Sequence, residues 1–232
     1  MDSIPSLCRK WRLSLESRFD SKKNLVYKAR CRGSLCVLKW FRREEAADRE
    51  FALLDRAHGL GLRVPRPLDL WPGRAILMEF IPGENLCDLI NEEPSLQIGL
   101  RLAEWYAGFH KAFPSDDGVL LKGDSILRNF VWRGGSPWGV DFEESRPGKP
   151  AEDIGEIICS ILTTDPMFTW EKLSLSRLLI DHYQRLAPLE GVEDALAWAL
   201  RETARRRREP SLLARACLVE KMGLEGLAED PS

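Results

Sequence analysis

One polar segment, residues 122–143, constrains this chain of 232 residues more than any other feature. Two short apolar runs, residues 130–132 and 138–140, flank the pair Gly134 and Gly135. Paired glycines between two apolar runs are typical of a tight β-hairpin turn. The segment is therefore predicted to fold as strand, loop, strand, turn and strand.

Three polar side chains lie where these predicted strands end. Asp124 and Asn129 bracket the loop before the hairpin, and Asp141 follows the hairpin directly. A carboxylate in such a loop can orient a hydroxyl group and accept its proton, while an amide and a second carboxylate offer the hard oxygen ligands that Mg²⁺ prefers. The spacing indicates phosphoryl transfer from Mg-ATP.

The same residues resemble a known family. Gly-Asp-x-x-x-x-Asn, followed after a hairpin by Asp-Phe-Glu, is similar to the catalytic core of the aminoglycoside phosphotransferase/choline kinase group. The match holds at Gly123, Asp124, Asn129, Asp141 and Phe142. The family usually has His before this glycine, whereas the chain has Lys122, a departure that leaves the base and metal residues intact.

The resemblance implies an α+β, bilobal protein-kinase-like fold. It predicts a small antiparallel-sheet lobe and hinge over residues 1–83 that binds the nucleotide, and a mainly helical lobe over residues 84–232 that carries the catalytic loop and substrate pocket. It also implies ATP and Mg²⁺ as cofactors, Asp124 as the base, and Asn129 and Asp141 as the metal ligands.

The first part of the chain fits a kinase amino-terminal lobe. Alternation predicts three antiparallel strands, over residues 11–17, 24–30 and 35–40, after a loose lead-in at residues 1–10. Lys39 ends an apolar run, where a lysine is costly unless it is paired. By the resemblance Lys39 contacts the ATP phosphates and is held by Glu50.

Glu50 lies in a helix predicted over residues 42–58, which stops at Gly59. Glu44 and Glu45 are expected in its first turn, where acidic side chains suit the helix dipole.

The turn between the first two strands is expected to cover the ATP phosphates. It contains no glycine, although glycine usually lets a backbone approach phosphates closely. Ser21, Lys22 and Lys23 offer a hydroxyl and two cations instead, and the alternative is a plain hairpin tip with solvated lysines. The following residues 24–27 resemble the family's Asn-x-Val-Tyr segment.

Residues 78–83 resemble the segment that joins the two lobes in these kinases. There the resemblance implies adenine binding through backbone groups of Glu79 and Ile81, although a strand ending at Pro-Gly fits the residues equally well.

The rest of the chain is predicted to be largely helical. A central helix over residues 96–113 ends near His110, which is expected to pack and not to react. The chain has no room for the long activation segment of protein kinases, because Asp153 already lies in a helix that starts near residue 150. Asp153 is expected to cap this helix or to brace the catalytic loop. Glu143, next to Asp141, could contact either a second Mg²⁺ or the substrate, and the sequence does not decide between them.

Three further helices are predicted, over residues 170–187, 192–208 and 211–227. By the resemblance this region supplies the acceptor pocket, for which Asp165, Glu171, Asp181 and His182 are candidates by location alone. The run of arginines at residues 205–208 is read as a solvated face, with an anionic partner as the alternative.

The charge and residue composition of the chain limit the classes of partner that it is expected to bind. A net charge of −2 gives no case for nucleic acid or an anionic membrane, and no apolar run approaches the length of a membrane span. Six scattered cysteines and polar first residues predict a reducing, cytoplasmic compartment and no signal peptide.

The expected partner is a small-molecule hydroxyl acceptor. One alternative is a small atypical protein kinase or a lipopolysaccharide-core sugar kinase, since these also lack the activation segment. The other is a catalytically weak nucleotide-binding scaffold, which the glycine-free turn and Lys122 favour. Neither the acceptor, the oligomeric state nor any protein partner follows from the sequence.

Overall fold

The computed structural model describes residues 3–21, 23–116 and 118–227. The chain divides into two compact units, Met1–Pro82 and Gly83–Ser232. The first contains a five-stranded sheet and two helices, and the second is mainly helical with two small three-stranded sheets. This is the α+β arrangement that the sequence predicts.

The sheet of the first unit is antiparallel throughout, with strand order β1-β2-β3-β5-β4. Its strands are β1 (Leu13–Phe19), β2 (Leu25–Cys31), β3 (Ser34–Trp40), β4 (Pro67–Trp71) and β5 (Ala75–Glu79). The three strands predicted at the start of the chain are present, with bounds shifted by at most two residues.

A helix, α1 (Ile4–Trp11), precedes the sheet, so the expectation of a loose lead-in over residues 1–10 is wrong. The Ser3 side chain accepts a hydrogen bond from the Ser6 backbone and caps the helix, which a serine before a helix commonly does. Leu7 and Trp11 are buried against one face of the sheet, in a cluster with Leu38 and Leu77. Their burial holds the helix on the sheet.

The second helix of the unit, α2 (Ala46–Gly59), begins four residues later than predicted. The intervening chain is bonded elsewhere, because the Phe41 backbone N–H donates to the Arg74 carbonyl and that of Arg42 to the Asn24 side chain. Glu45 caps the helix in a left-handed conformation, with φ of 67°. Glu44 and Glu45 therefore precede the first turn of α2, and the expectation that they lie within it is wrong.

The second unit holds six helices and two small sheets in its described part. The helices are α3 (Leu86–Glu92), α4 (Leu96–Ala112), α5 (Pro150–Leu162), α6 (Trp170–Leu186), α7 (Val192–Arg207) and α8 (Ser211–Met222). The sheets have strand orders β10-β9-β6 and β11-β8-β7. Their strands are β6 (Glu84–Asn85), β7 (Pro114–Ser115), β8 (Gly118–Leu121), β9 (Phe130–Arg133), β10 (Ser136–Gly139) and β11 (Arg146–Gly148).

The helices pack in a chain of neighbours, α4 on α6, α5 on α7 and α7 on α8. α5 presents a fully buried apolar stripe of Ile154, Ile157, Ile158 and Ile161, as its spacing predicts. α8 ends at Met222 and is followed by Gly223, which has a positive φ and begins a short 3-10 turn, so the helix predicted to reach residue 227 is shorter. No helix in the described ranges has the length and apolar character to cross a membrane.

Candidate functional site

The loop between β8 and β9 holds Asp124 and Asn129, the first two predicted site residues. Its entry is set by Gly123, which has φ of 83° and lies so close to the Glu144 carbonyl that a Cβ there would be 2.0 Å from the oxygen. Only glycine suits both constraints. The family resemblance at Gly123 thus has a physical basis in this chain.

Asp153 on α5 anchors the start of this loop. Its carboxylate accepts backbone hydrogen bonds from Lys122 at 2.7 Å and Gly123 at 3.1 Å, and one from the Ser125 hydroxyl at 2.6 Å. Burial raises the pKa of Asp153, but the bonds from His110, Ser125 and Gly123 outweigh it and hold the pKa below its usual range. Asp153 braces the loop, whereas the residue that precedes α5 and caps it is Lys149.

His110 connects this anchor to the helices behind it. Its Nε2 lies 3.0 Å from the Asp153 carboxylate, and its Nδ1 lies 2.8 Å from the Tyr183 hydroxyl on α6. The ring is 2% exposed. A buried imidazole with both nitrogens bonded to protein groups is a structural element, in agreement with the packing role expected from the sequence.

Two contacts fix Asn129 and Asp141 relative to Asp124. The Asn129 side-chain nitrogen donates to the Asp124 carbonyl at 2.9 Å, which leaves Oδ1 as the amide atom suited to a metal. The Asn129 carbonyl accepts from the Val140 backbone N–H at 2.9 Å, so the hairpin delivers Asp141 next to it. Asp141 has φ of 60°, a conformation that is strained for a non-glycine residue and often found at functional sites.

These residues fit a magnesium ion. Mg²⁺ is commonly bound through one or two carboxylates together with substrate phosphates and water, which matches one carboxylate and one amide oxygen on adjoining loops. Within the described ranges, no group of three or more His, Cys, Asp or Glu residues could hold a metal by itself.

Lys122, noted in the sequence only as a departure, is fully buried. Its Nζ donates to the backbone carbonyls of Asp141 at 3.0 Å and Asp124 at 3.2 Å. Burial lowers the pKa of Lys122, and the carboxylates of Asp141 and Asp124 act in the opposite direction. Lys122 therefore links the loop between β8 and β9 to the loop that carries Asp141.

Sequence reasoning missed two residues that support the loop from α5. The Glu156 carboxylate accepts from the Ser125 backbone N–H at 2.9 Å, and the Ser160 hydroxyl accepts from the Leu127 backbone N–H at 3.1 Å. Burial and the nearby carboxylates of Asp124 and Asp153 raise the pKa of Glu156 to about 7.

Their spacing could have revealed them. Asp153, Glu156 and Ser160 are three and four positions apart, which places them on one face of a helix whose other face is the isoleucine stripe.

The first unit contains the ion pair predicted between Lys39 and Glu50. Side chains alternate along a strand, so Lys39 faces away from its neighbour Leu38 and from the cluster under α1. Its Nζ lies 2.6 Å from the Glu50 carboxylate on α2, with the two side chains 5% and 1% exposed. The structure therefore pairs the two residues that the sequence paired.

The remaining predicted nucleotide residues also lie in the first unit. The Glu79 backbone N–H donates to the Arg66 carbonyl at 2.9 Å, and Ile81 is buried two residues beyond. The Ser21 hydroxyl accepts from the Asn24 backbone N–H at 3.4 Å and so closes the turn after β1. Lys22 lies outside the described residues.

Comparisons with known proteins identify the fold. A family model of the RIO domain, a kinase-like family, matches residues 10–105, which is less than half of the chain and ends before Asp124. No curated protein matches the chain.

Three solved structures illustrate the likeness. The amicoumacin kinase hAmiN, in complex with AMP-PNP, Ca²⁺ and Ami, has a TM-score of 0.70 at 13% identity, and the match covers 99% of this chain and 93% of that one. Choline kinase from Cryptosporidium parvum has a TM-score of 0.66 at 12% identity, covering 97% and 98%. ADP-bound aminoglycoside phosphotransferase APH(2'')-Ib has a TM-score of 0.62 at 15% identity, covering 97% and 94%.

The chain therefore has a protein-kinase-like fold, as the sequence predicts. The solved structures that share the fold include small-molecule phosphotransferases.

Proposed function

We propose that the protein is a phosphotransferase that moves the γ-phosphoryl group of ATP to a hydroxyl group of a small molecule. The observation that carries the proposal is the fixed arrangement of Asp124, Asn129 and Asp141. The bond from Asn129 to the Asp124 carbonyl and that from Val140 to the Asn129 carbonyl hold these residues on adjoining loops. Phosphoryl transfer depends mostly on such positioning and on stabilisation of charge.

In the proposed mechanism, Asp124 orients the acceptor hydroxyl and takes its proton late in the transfer. Asn129 and Asp141 would hold Mg²⁺, which, when bound, neutralises charge on the phosphates. Asp153, Glu156 and Ser160 do not react; they keep the loop in place through its backbone N–H groups and the Ser125 hydroxyl. The rigidity of the loop limits the reorganisation that the transfer requires.

The nucleotide residues belong to the first unit in this proposal. Lys39, held by Glu50, would contact the phosphates, and backbone groups of Glu79 and Ile81 would bind adenine. Ser21 would contact the phosphates in place of a glycine-rich turn, and Lys22, which lies outside the described residues, is assigned to ATP binding from the sequence alone. The proposal thus assigns nucleotide binding to residues 1–83, and the catalytic loop and acceptor pocket to residues 84–232.

The short connection after Asp141 fits a small-molecule kinase, although small atypical protein kinases share it, and the names of the structural neighbours favour a small-molecule acceptor. α5 begins at Pro150, and β11 occupies part of the interval, so this stretch leaves little space for an activation segment. The amicoumacin, aminoglycoside and choline kinases with the same fold carry small-molecule acceptors in their names. We further propose a cytoplasmic location, where ATP is available and the six free cysteines remain reduced.

The match to the RIO domain supports a second candidate, an atypical kinase that acts on a protein. A transfer assay separates the two. The purified protein is incubated with Mg-ATP labelled at the γ-phosphate and with separate panels of small alcohols, aminoglycosides, sugars and proteins. Label on a small hydroxyl compound supports the first candidate, and label on protein alone supports the second.

The Asp124→Asn variant provides the control for chemistry. The asparagine keeps the shape of the side chain but cannot accept the proton, so the transfer rate is expected to fall by about 10²–10⁴-fold, the range for a positioned general base. A variant with near-full turnover would contradict the role of Asp124.

A further inference from the structure

Lys122 joins four segments of the second unit through its own polar groups. Its backbone N–H donates to Asp153 on α5, and its carbonyl accepts from the Ser145 hydroxyl after the Asp141 loop. Its Nζ donates to the carbonyls of Asp124 and Asp141. The catalytic loop, the Asp141 loop, the segment after it and α5 therefore meet at one residue.

The surroundings of the ammonium group suit a cation. Nζ lies 5.2 Å from the centre of the Phe142 ring and 5.5 Å from that of the Phe130 ring, within the usual distance for cation–π contacts. Two carbonyl oxygens and two aromatic faces thus surround a fully buried Lys122. Burying a charge is costly without such partners, so the site is built around the lysine.

The number of hydrogen-bond donors explains what a lysine achieves here. An ammonium group has three N–H donors and can serve both carbonyls, whereas a neutral imidazole has one donor and can serve only one of them. The family that this motif resembles usually has His at this position. The chain therefore connects the two loops by a two-point contact that a neutral histidine cannot make.

We propose that Lys122 is a positioning residue that fixes the catalytic loop and the Asp141 loop relative to each other, and so sets the geometry of the metal ligands before the metal binds. The link between the loops stands on the contacts of Lys122 alone. Its consequence for the metal rests on the proposed phosphotransferase function.

Hydrogen–deuterium exchange on the nucleotide-free protein tests the link. Lys122→Met keeps a long side chain but removes the charge and all three donors. Exchange is expected to rise in residues 123–130 and 140–145 together and to stay unchanged in α7. Lys111→Met, at an exposed lysine on α4, is the matched control and should leave both segments unchanged. Unchanged exchange in the two segments, or a uniform rise across the unit, would overturn the proposal.

Calorimetric binding of Mg-AMP-PNP then tests the consequence. Lys122→Met is expected to weaken the magnesium-dependent binding by about 10–100-fold, as is typical when a residue that supports metal ligands is lost. If the wild type binds Mg-AMP-PNP and Lys122→Met binds it equally well, the proposed role of Lys122 is overturned. The phosphotransferase proposal then stays intact. No binding by the wild type would instead reject the phosphotransferase proposal, and the exchange experiment would still decide whether Lys122 links the loops.

A second variant protects both tests against misfolding. Lys122→Gln retains amide donors but is shorter and uncharged, so it is expected to reach one carbonyl at most. It should loosen the same two segments. A folded Lys122→Gln protein with wild-type exchange in both segments would overturn the proposal even if the methionine variant does not fold.

Discussion

The Lys39 ammonium and the Glu50 carboxylate form an ion pair 2.6 Å long, with both side chains almost fully buried. The pair joins β3 to α2, so it connects the sheet of the first unit with the helix on its other side. Buried ion pairs often add little net stability, because desolvation offsets the attraction between the charges. The proposed contact of Lys39 with phosphate would account for a buried pair that contributes little net stability.

Replacing only one partner of this ion pair should lower the free energy of unfolding more than replacing both partners. Glu50→Ala removes the carboxylate that pairs with the buried Lys39 ammonium and is expected to lower the free energy of unfolding by about 3–5 kcal/mol. The double variant Lys39→Met/Glu50→Leu should recover most of this loss but not the affinity for ATP. Urea unfolding and calorimetry measure the two quantities. A double variant as unstable as Glu50→Ala would contradict the explanation.

Asp153 should be needed for folding more than for chemistry. Its two oxygens together face Lys122, Gly123, Ser125 and His110, and an amide offers only one oxygen to the same partners. Asp153→Asn is expected to lower the free energy of unfolding by about 3–5 kcal/mol, since each buried donor left without an acceptor costs about 1–3 kcal/mol.

Urea unfolding at pH 7 checks this expectation against a matched control. Asp181→Asn, at an exposed position on α6, should stay within about 0.5 kcal/mol of the wild type. Equal effects of the two substitutions would show that the Asp153 contacts do not stabilise the loop.

The anchoring role of Asp153 shows what sequence patterns could and could not reveal. The Asp-x-x-x-x-Asn spacing and the hairpin glycines are local signals, and they predicted a loop that carries Asp124 and Asn129 and a hairpin before Asp141, both of which the structure contains. The hydrogen bond that the Ser125 hydroxyl donates to Asp153 joins residues 28 positions apart, and no local pattern encodes such a contact. From the sequence, bracing of the loop is one of two roles expected for Asp153, and the polar stripe beside the isoleucines of α5 favours this role.

Glu156 should make stability depend on pH. Its pKa of about 7 lies above the usual value of about 4.3 for a glutamate in an unfolded chain. Between these values the native state binds more protons than the unfolded state, so this residue lowers stability as pH rises from about 4.3 to 7. Glu156→Gln removes the titration and should gain stability relative to the wild type as pH rises from 5 to 8.

Urea unfolding of both proteins at pH 5 and pH 8 measures this difference. Glu193→Gln, at an exposed glutamate on α7, serves as the control. If the stability of Glu156→Gln runs parallel to that of the wild type across this range, the burial of Glu156 does not perturb its titration as described.

Lys122 and α1 show why other features escaped prediction. The sequence marks Lys122 as unusual, but the two carbonyls that receive its ammonium group come from residues 124 and 141, and only the folded hairpin brings them together. Residues 1–10 gave no helix signal because they contain few apolar side chains. A short amphipathic helix such as α1 can nevertheless bury one face with Leu7 and Trp11 alone. The contacts of Lys122 and the presence of α1 both depend on tertiary packing, which a short stretch of sequence does not encode.

The most direct test of the central claim is calorimetric binding of AMP-PNP to the wild type and to Asp141→Ala, each with and without Mg²⁺. The wild type is expected to bind in the range of about 1 μM to 1 mM usual for enzyme substrates, and to require magnesium. Asp141→Ala should lose that requirement together with most of the affinity, because it removes the carboxylate ligand. Failure of the wild type to bind, or equal magnesium-dependent binding by both proteins, would contradict the assignment of this loop as a nucleotide-metal site.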